Sequence, residues 1–379
     1  MQHRLFIPRE TSEHEGRVGG SPDSVKKLKT LGFDVVVEAG AGLLSRVPDG
    51  EFEKAGAQIG SASDAASADV VLKVRRPSSA EVSSYKSGAI VLAIMDPYGN
   101  EQALEEMAKA GVSAFAMELM PRITRAQSMD VLSSQANLAG YQAVIDAAAE
   151  FDRAMPMMMT AAGTVPAAKV FVMGAGVAGL QAIATARRLG AVVSATDVRP
   201  ASKEQVASLG AKFIAVEDEE FKAAETAGGY AKEMSAEYKA KQAALTAEHL
   251  AKQDIVITTA LIPGRPAPRL ITREMLKSMK PGSVVVDLAV ERGGNVEGAV
   301  AGQVVEVEGV KVVGYLNVPG RIAASASALY AKNLFTFLET ILSKETKTLA
   351  LNMEDELIKA TALTHGGVIV HPNFGRGQS

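Results

Sequence analysis

Several residue types are absent or scarce in this chain of 379 residues, and each shortage excludes a kind of chemistry. There is no cysteine, which rules out disulfides, thiolate nucleophiles, iron–sulfur clusters and zinc sites built from thiolates. None of the five histidines, at positions 3, 14, 249, 365 and 371, lies three or four residues from another. Because no local pair of histidine ligands exists, we expect no metal site.

Charge of a single sign and long apolar runs are also lacking. The formal net charge is -3, so the sequence predicts no nucleic-acid partner. The start of the chain has neither the apolar stretch nor the cleavage motif of a secretory signal. The uncharged stretch 170–186 contains glycines and a glutamine and is typical of a strand, a turn and a helix. We therefore expect no direct insertion into a membrane.

Short β-branched runs alternate with helical segments, a pattern typical of α/β proteins with parallel sheets. The length indicates two domains. In the first half, the predicted strands are 4–7, 35–38, 70–74, 90–95 and 114–118. In the second half, they are 170–173, 192–196, 213–216, 255–259, 284–289 and 310–313.

Two long helical patterns, 128–151 and 321–342, stand between the two sets of strands and after them. The stretch 155–168 is interpreted as a connector, and the tail 349–371 as a hairpin that returns to the first half. We predict two Rossmann-like, doubly wound parallel-sheet domains joined by long helices, with a cleft between them. The first domain is discontinuous, 1–131 plus 320–379, and the second covers 132–319.

A glycine fingerprint follows the first strand of the second domain. It consists of Gly174, Ala175, Gly176, Val177 and, after Ala178, Gly179, and it opens a helix. In such a loop the first glycine permits a tight turn and the second lets a pyrophosphate approach the backbone. The third allows close packing of helix and strand. The alternative is a glycine-rich turn without a ligand.

The next strand ends in Asp197, followed by Val198 and Arg199. A carboxylate at this point accepts hydrogen bonds from ribose hydroxyls and repels a 2′-phosphate, which favours NAD(H) over NADP(H). Arg199 points the other way, because a nearby arginine can hold a 2′-phosphate. We give Asp197 the greater weight.

Polar residues are dense in the segment from Arg122 to Ser133. Gln127, Asp130 and Ser133 are spaced by three, which on a helix stacks them along one edge. That edge could bind a nicotinamide carboxamide and its ribose. The alternative is a helix start with Thr124 or Ser128 as its cap and Asp130 favoured by the helix dipole.

A long crossover separates the strands that end at Val216 and begin after Asp254. Its residues, 217 to 253, are rich in Glu, Lys and Ala, and Gly228-Gly229 interrupts them. The pattern predicts a lid with a glycine hinge, or alternatively an extra pair of surface helices. Leu261 follows the fourth strand, at the edge where a dinucleotide crosses the sheet.

Five motifs resemble one family. They are the runs from Met117 to Tyr141, Thr160 to Pro166, Gly228 to Met234, Thr258 to Gly264 and Asp287 to Glu291. Together they make the chain similar, over essentially its whole length, to the NAD(H)-binding component of proton-translocating nicotinamide nucleotide transhydrogenase.

The resemblance implies a peripheral subunit on the cytoplasmic face of the bacterial inner membrane. It would be a homodimer that docks on an NADP(H)-binding subunit and on membrane-spanning proton-channel subunits. Arg122, Gln127, Asp130 and Ser133 would line the nicotinamide site, and the residues 174–179 and 197–199 would hold the pyrophosphate and the adenosine ribose. Gly229 and Gln242 would come near the cofactor, and Tyr230 would lie near the partner interface.

A weaker resemblance is to alanine dehydrogenase. Arg17 and Lys73 match the residues that hold a substrate carboxylate in that enzyme, which also needs a histidine after the strand 90–95. Here Asp96, Pro97 and Tyr98 follow that strand, so the general acid/base is missing and oxidation of an amino acid is disfavoured. Arg17 and Lys73 then belong to a structural polar cluster. A third alternative is an NAD-sensing module without hydride transfer.

Overall fold

The computed structural model describes residues 3–223, 234–262, 264–343 and 345–375. The chain divides into two compact units, Met1–Gln135 together with Pro319–Ser379, and Ala136–Val318. We call them unit 1 and unit 2. The domain limits predicted from the sequence, at 131 and 320, concern independently folding bodies and stay a prediction.

Unit 1 contains a six-stranded parallel sheet with the order β3-β2-β1-β4-β5-β6. Its strands are β1 (Arg4–Ile7), β2 (Asp34–Glu38), β3 (Gln58–Gly60), β4 (Val70–Arg75), β5 (Ile90–Ile94) and β6 (Ser113–Ala116). Side chains alternate between the two faces. Leu5 and Ile7 belong to one apolar cluster and Phe6 to another, so both faces of the sheet are covered, as in doubly wound folds.

The first helices of the chain cover this sheet. They are α1 (Pro22–Leu31), α2 (Asp49–Lys54), α3 (Ser79–Ser84) and α4 (Glu101–Lys109). Helix α1 shows how the local sequence sets its limits. Ser21 and Ser24 form a capping box at its start, and Gly32 ends it with the left-handed φ of 97°.

A long helix, α5 (Val131–Glu150), contains the boundary between the units. Unit 2 then holds the strands β7 (Met158–Thr160), β8 (Gly163–Val165), β9 (Lys169–Met173), β10 (Val192–Thr196), β11 (Lys212–Phe213), β12 (Ile255–Thr258), β13 (Val284–Asp287), β14 (Val304–Val307) and β15 (Val310–Val313). Seven of them form one sheet with the order β11-β10-β9-β12-β13-β15-β14, in which β14 alone is antiparallel to its neighbour.

The helices of unit 2 are α6 (Val177–Arg188), α7 (Ser202–Ser208), α8 (Glu219–Lys222), α9 (Ala236–Leu250) and α10 (Arg273–Lys277). From β9, the chain builds outward to β10 on one side and later to β12 on the other. This reversal is the topological switch point at which open α/β sheets bind ligands, beyond the carboxyl ends of the strands. Helix α5 passes so close to α6 that a Cβ on Gly140 would lie 2.0 Å from the Ala178 carbonyl oxygen.

The chain closes with α11 (Ala323–Ile341), α12 (Glu356–Thr361) and the strands β16 (Thr364–His365) and β17 (Val368–Ile369). These elements belong to unit 1, where Tyr330, Leu334, Phe337 and Leu338 of α11 are fully buried in the main apolar cluster. Within the described residues, no helix is long and apolar enough to cross a membrane.

The predicted fold class is confirmed, as is the hairpin in the tail, whose strands β16 and β17 pair antiparallel around Gly366-Gly367. Other details were wrong. Residues 155–168 are not a plain connector, because β7 and β8 form a hairpin there. The edge strands β3 and β14 were not predicted, and the strand expected at 213–216 is only Lys212–Phe213.

Candidate nucleotide-binding site

The glycine loop lies at the switch point, between the end of β9 and the start of α6. Gly174 has a φ of 105°, and a Cβ there would lie 2.4 Å from Thr259 Oγ1. A Cβ on Gly179 would lie 1.8 Å from the Gly174 carbonyl oxygen. Both positions therefore need glycine for the fold itself.

Gly176 is different, because a Cβ added to it would meet no atom within 4 Å. Its φ of -74° is open to every residue type, and it is the exposed N-cap of α6. The backbone N–H groups of a first helical turn have no partner within the helix and attract anions. The open space beside Gly176, at this helix end, fits the pyrophosphate of a dinucleotide.

Asp197 follows β10 at the same edge of the sheet. Its Oδ2 accepts a hydrogen bond from the Ala175 backbone N–H at 2.7 Å, which ties the end of β10 to the glycine loop. The Arg199 guanidinium pairs with the same carboxylate, with Nε 2.9 Å from Oδ1 and Nη2 3.1 Å from Oδ2. The structure therefore brings Asp197, Arg199 and the glycine loop into one hydrogen-bonded group.

Asp197 is ionised in this setting. Burial of the side chain favours the neutral acid, but hydrogen bonds from Arg199 and Ala175 outweigh it and hold the pKa of Asp197 below its ordinary value. The negative charge needed for a ribose contact is present, and the guanidinium beside it largely balances it.

Three apolar side chains of the predicted site are exposed around this group. Val177 is 41% exposed, Val198 64% and Leu261 53%. They follow the carboxyl ends of β9, β10 and β12, which are neighbours in the sheet. Exposed apolar residues beside a polar cluster are typical of the walls against which a nucleotide base packs.

Gln242 lies on α9 and is engaged within the protein. Its Oε1 accepts a hydrogen bond from the Val216 N–H at 2.9 Å, and its Nε2 donates to Thr196 Oγ1 at 3.4 Å. Thr196 is the residue before Asp197, so Gln242 braces the end of β10. Gly229 and Tyr230, which were also predicted for the site, lie outside the described residues, as does much of the expected lid.

Two residues that shape the site were not singled out from the sequence. Thr259 donates to the carbonyls of Met173 and Gly174, at 3.3 and 3.2 Å, and so supports the glycine turn. The fully buried Asn295 exchanges hydrogen bonds with the backbone of Ala260. Thr259 stands inside a motif that carried the family resemblance, whereas nothing in the local sequence marks Asn295.

The segment 122–133 belongs to unit 1, up to the start of α5. Arg122 and Gln127 are exposed, and Asp130 and Ser133 are half-buried. The expected single helix edge is wrong, because Thr124–Met129 is a 3-10 helix and Asp130 breaks it with an extended backbone. Asp130 Oδ1 accepts the Ser133 N–H at 2.9 Å, so this carboxylate, rather than Thr124 or Ser128, caps α5.

Arg17 and Lys73 lie in a buried polar cluster of unit 1. Arg17 donates to both oxygens of Glu15, at 2.8 and 2.7 Å, and to Gln135 Oε1 at 2.8 Å. Lys73 Nζ donates to Glu81 Oε1 at 2.6 Å. The cationic groups thus have carboxylate partners from the protein itself, a geometry that supports the structural interpretation of both residues.

A separate groove of about 660 Å³ lies in unit 1, at the opposite, amino edge of its sheet. His3, Asp69 and His365 are among its lining residues. It contains none of the predicted site residues. Over the described part of the chain, no group of three or more His, Asp or Glu side chains could hold a metal ion.

The fold and the glycine loop define a two-unit α/β protein of the dinucleotide-binding type. Residues 6–139 match the family model described as alanine dehydrogenase/PNT, N-terminal domain, and residues 143–372 match the C-terminal domain of the same family. The chain belongs to this alanine dehydrogenase/PNT family.

Within the family, the similarity is greatest to transhydrogenases. The chain is 57% identical to the separately encoded first portion of the NAD(P) transhydrogenase alpha subunit of Rhodospirillum rubrum, over 97% of this chain and 98% of that protein. The crystal structure of a transhydrogenase from Sinorhizobium meliloti superposes with a TM-score of 0.90 at 76% identity, over 97% of this chain and 100% of that one. A solved L-alanine dehydrogenase superposes with a TM-score of 0.81 at 26% identity, over 98% of both chains. The resemblance inferred from the motifs is confirmed.

Proposed function

We propose that this chain is the NAD(H)-binding subunit of a proton-translocating, Re/Si-specific nicotinamide nucleotide transhydrogenase. It would exchange hydride directly with NADP(H) on a partner subunit, coupled to proton movement through membrane-spanning subunits. The observation that carries the proposal is the open space beside Gly176, at the start of α6 and next to the Asp197 carboxylate. The names of the relatives supply the reaction.

The preference for NAD(H) rests on Asp197. A carboxylate at the end of β10 suits two ribose hydroxyls and disfavours a 2′-phosphate. Val198 and Leu261 offer apolar surface to the adenine, and Ala175, Val177 and Gly179 complete the loop around the pyrophosphate. Gln242 supports the site through Thr196 rather than by contact.

The nicotinamide site of the proposal comprises Arg122, Gln127, Asp130 and Ser133. The exposed Arg122 and Gln127 can reach a ligand, while Asp130 and Ser133 hold the start of α5 in place through their mutual hydrogen bonds. When bound, NADH supplies the hydride. The task of these residues is to orient the ring and to exclude water, since direct transfer between two nicotinamides needs no acid, base or nucleophile from the protein.

The assembly is part of the proposal: a homodimer, peripheral on the cytoplasmic face of a bacterial inner membrane, docked on NADP(H)-binding and membrane-spanning subunits. The hairpin β7–β8 supports the homodimer. Met157, Met158 and Met159 are 61%, 43% and 80% exposed there, and adaptable thioether side chains in a row are suited to an interface. We expect Met159→Asp to lower the mass found by light scattering to that of one chain.

The function is tested by mixing the purified chain, loaded with NADH, with an NADP+-loaded partner subunit. We expect NADPH to form in a single turnover only when both proteins are present. No transfer in spite of tight NADH binding would favour the NAD-sensing module.

The second candidate, an alanine-dehydrogenase-like enzyme, is favoured by the fold similarity and by Arg17 and Lys73. Its test uses the isolated chain with alanine and NAD+ at alkaline pH, where steady NADH production would establish it. We expect none. Phe374 contacts both Tyr98, which follows β5, and His371. Both ring nitrogens of His371 are engaged with backbone groups of Ala360 and Asn373, so it is poorly placed as a general base.

A further inference from the structure

The carboxylate of Asp197 is saturated with hydrogen bonds from its own chain. An ionised carboxylate offers about four acceptor positions. Oδ1 accepts the backbone N–H and the Nε of Arg199, both at 2.9 Å. Oδ2 accepts the Ala175 N–H at 2.7 Å and Nη2 of Arg199 at 3.1 Å. A ribose hydroxyl therefore needs one of these donors to leave.

The four donors differ in how easily they can leave. Two are backbone groups, held by the glycine loop and by the turn after β10. The other two belong to the Arg199 side chain, which is 32% exposed, whereas the Asp197 side chain is only 7% exposed. A side chain that reaches solvent can rotate away at little cost, so the guanidinium is the group that can be displaced.

The geometry points to Arg199 as a specificity-determining residue that competes with the nucleotide. We propose that its guanidinium stands in for the two hydroxyls of the adenosine ribose, donating to both oxygens of Asp197 until NADH displaces it. This inference rests on the proposed NAD(H) site. It assigns Arg199 the role of an internal competitor, in contrast to an arginine that holds a 2′-phosphate.

The ion pair also governs the choice between nucleotides. With the guanidinium beside it, the carboxylate carries little net charge and repels a 2′-phosphate less than an unpaired Asp197 would. Removing the guanidinium should therefore act on the two nucleotides in opposite directions, strengthening NADH binding and weakening NADPH binding.

The test is calorimetric titration of NADH and NADPH into wild type and Arg199→Met, which keeps the apolar stem and removes both donors. We expect NADH to bind roughly threefold to tenfold more tightly, with the NADH/NADPH ratio widened. Weaker NADH binding would show that Arg199 contacts the nucleotide and would overturn the proposal, as would unchanged affinity. A wild-type chain that binds no NADH would overturn the proposed function as well.

Two comparisons sharpen the test. Arg188→Met makes the same charge change at the far end of α6, about 18 Å away along twelve residues of helix, and should leave both affinities unchanged. With 2′-deoxyadenosine NADH as probe, Arg199→Met should gain less, because one acceptor that it vacates has no hydroxyl to receive. If Arg199→Met does not fold, Arg199→Lys provides the test, with a smaller gain in NADH affinity expected, and no gain overturning the proposal.

Discussion

The two units contain the same three-residue pattern, an acid, one residue and an arginine, in opposite environments. In Glu15-Gly16-Arg17 of unit 1 the paired side chains are 1% and 2% exposed, while in Asp197-Val198-Arg199 of unit 2 they are 7% and 32% exposed. Both arginines grip both carboxylate oxygens. The difference in exposure separates a pair built into the core from a pair that can open to a ligand, and the local sequence does not distinguish them.

Breaking the buried pair should have the largest effect on stability. Arg17→Met leaves Glu15 and Gln135 without their main donor in the core, so we expect a loss of about 3–5 kcal/mol in the free energy of unfolding. Urea unfolding followed by circular dichroism measures it, since the chain has no tryptophan. The matched variant Arg199→Met should lose no more than about 1 kcal/mol. Equal losses would erase the distinction between the two pairs.

Acid should reveal the buried pair as well. Burial alone would raise the pKa of Glu15, but its hydrogen bonds and ion pairs with Arg17, together with the charge of Arg75, lower it from 4.5 to about 2. A depressed carboxyl pKa contributes stability that is complete above pH 4.5 and is lost as the pH falls toward 2. We expect this contribution to be about 3 kcal/mol.

Glu15→Gln isolates that contribution, because the variant cannot titrate at this position. The difference in unfolding free energy between wild type and variant should shrink between pH 4.5 and pH 2. Glu10, whose pKa burial raises, acts above pH 4.5 and with the opposite sign, so it does not disturb this window. A difference that stays constant with pH would contradict the depressed pKa of Glu15.

An exposed residue should instead affect rate without affecting stability. Gln127 is exposed on a 3-10 helix, and Gln127→Asn keeps its amide but withdraws it by one methylene. If it orients the nicotinamide, single-turnover hydride transfer should fall by up to ~10²-fold, because a misplacement of ~1 Å can have that effect. NADH affinity and melting temperature should hardly change. A wild-type rate would remove Gln127 from the site.

Gly176→Ala should separate binding from folding at the glycine loop. The new methyl group meets no protein atom within 4 Å, so the melting temperature should stay within about 1 °C of wild type. It would occupy the space proposed for the pyrophosphate, and we expect NADH affinity to fall at least about tenfold. Gly179→Ala is the contrasting variant and should fail to fold normally. Unaltered NADH affinity in Gly176→Ala would argue against a pyrophosphate there.

The sequence predicted what periodicity and glycine spacing determine. The central strands of both sheets, the glycine loop and Asp197 follow from local patterns, because buried parallel strands and tight turns restrict the residue types that fit. The edges escaped prediction. Strand β14 returns from β15 through Glu308-Gly309, both with positive φ, and its partly exposed pattern resembles a loop.

What could not be predicted depends on contacts between distant residues. The support of Gly174 by Thr259 and the burial of Asn295 arise only when β9 and β12 lie side by side. The three-residue spacing of Gln127, Asp130 and Ser133 suggested one helix, but the cap formed by Asp130 starts a new helix between them. The weight given to Asp197 alone missed that Arg199 balances its charge.

The most direct test of the account is isotope transfer. The chain is loaded with NADH carrying deuterium on the transferred position of the nicotinamide and mixed with the NADP+-loaded partner subunit. Direct transfer predicts that the label appears in NADPH and none in water, at a rate that Gln127→Asn lowers. Label released to solvent, or none in NADPH although both nucleotides are bound, would contradict it.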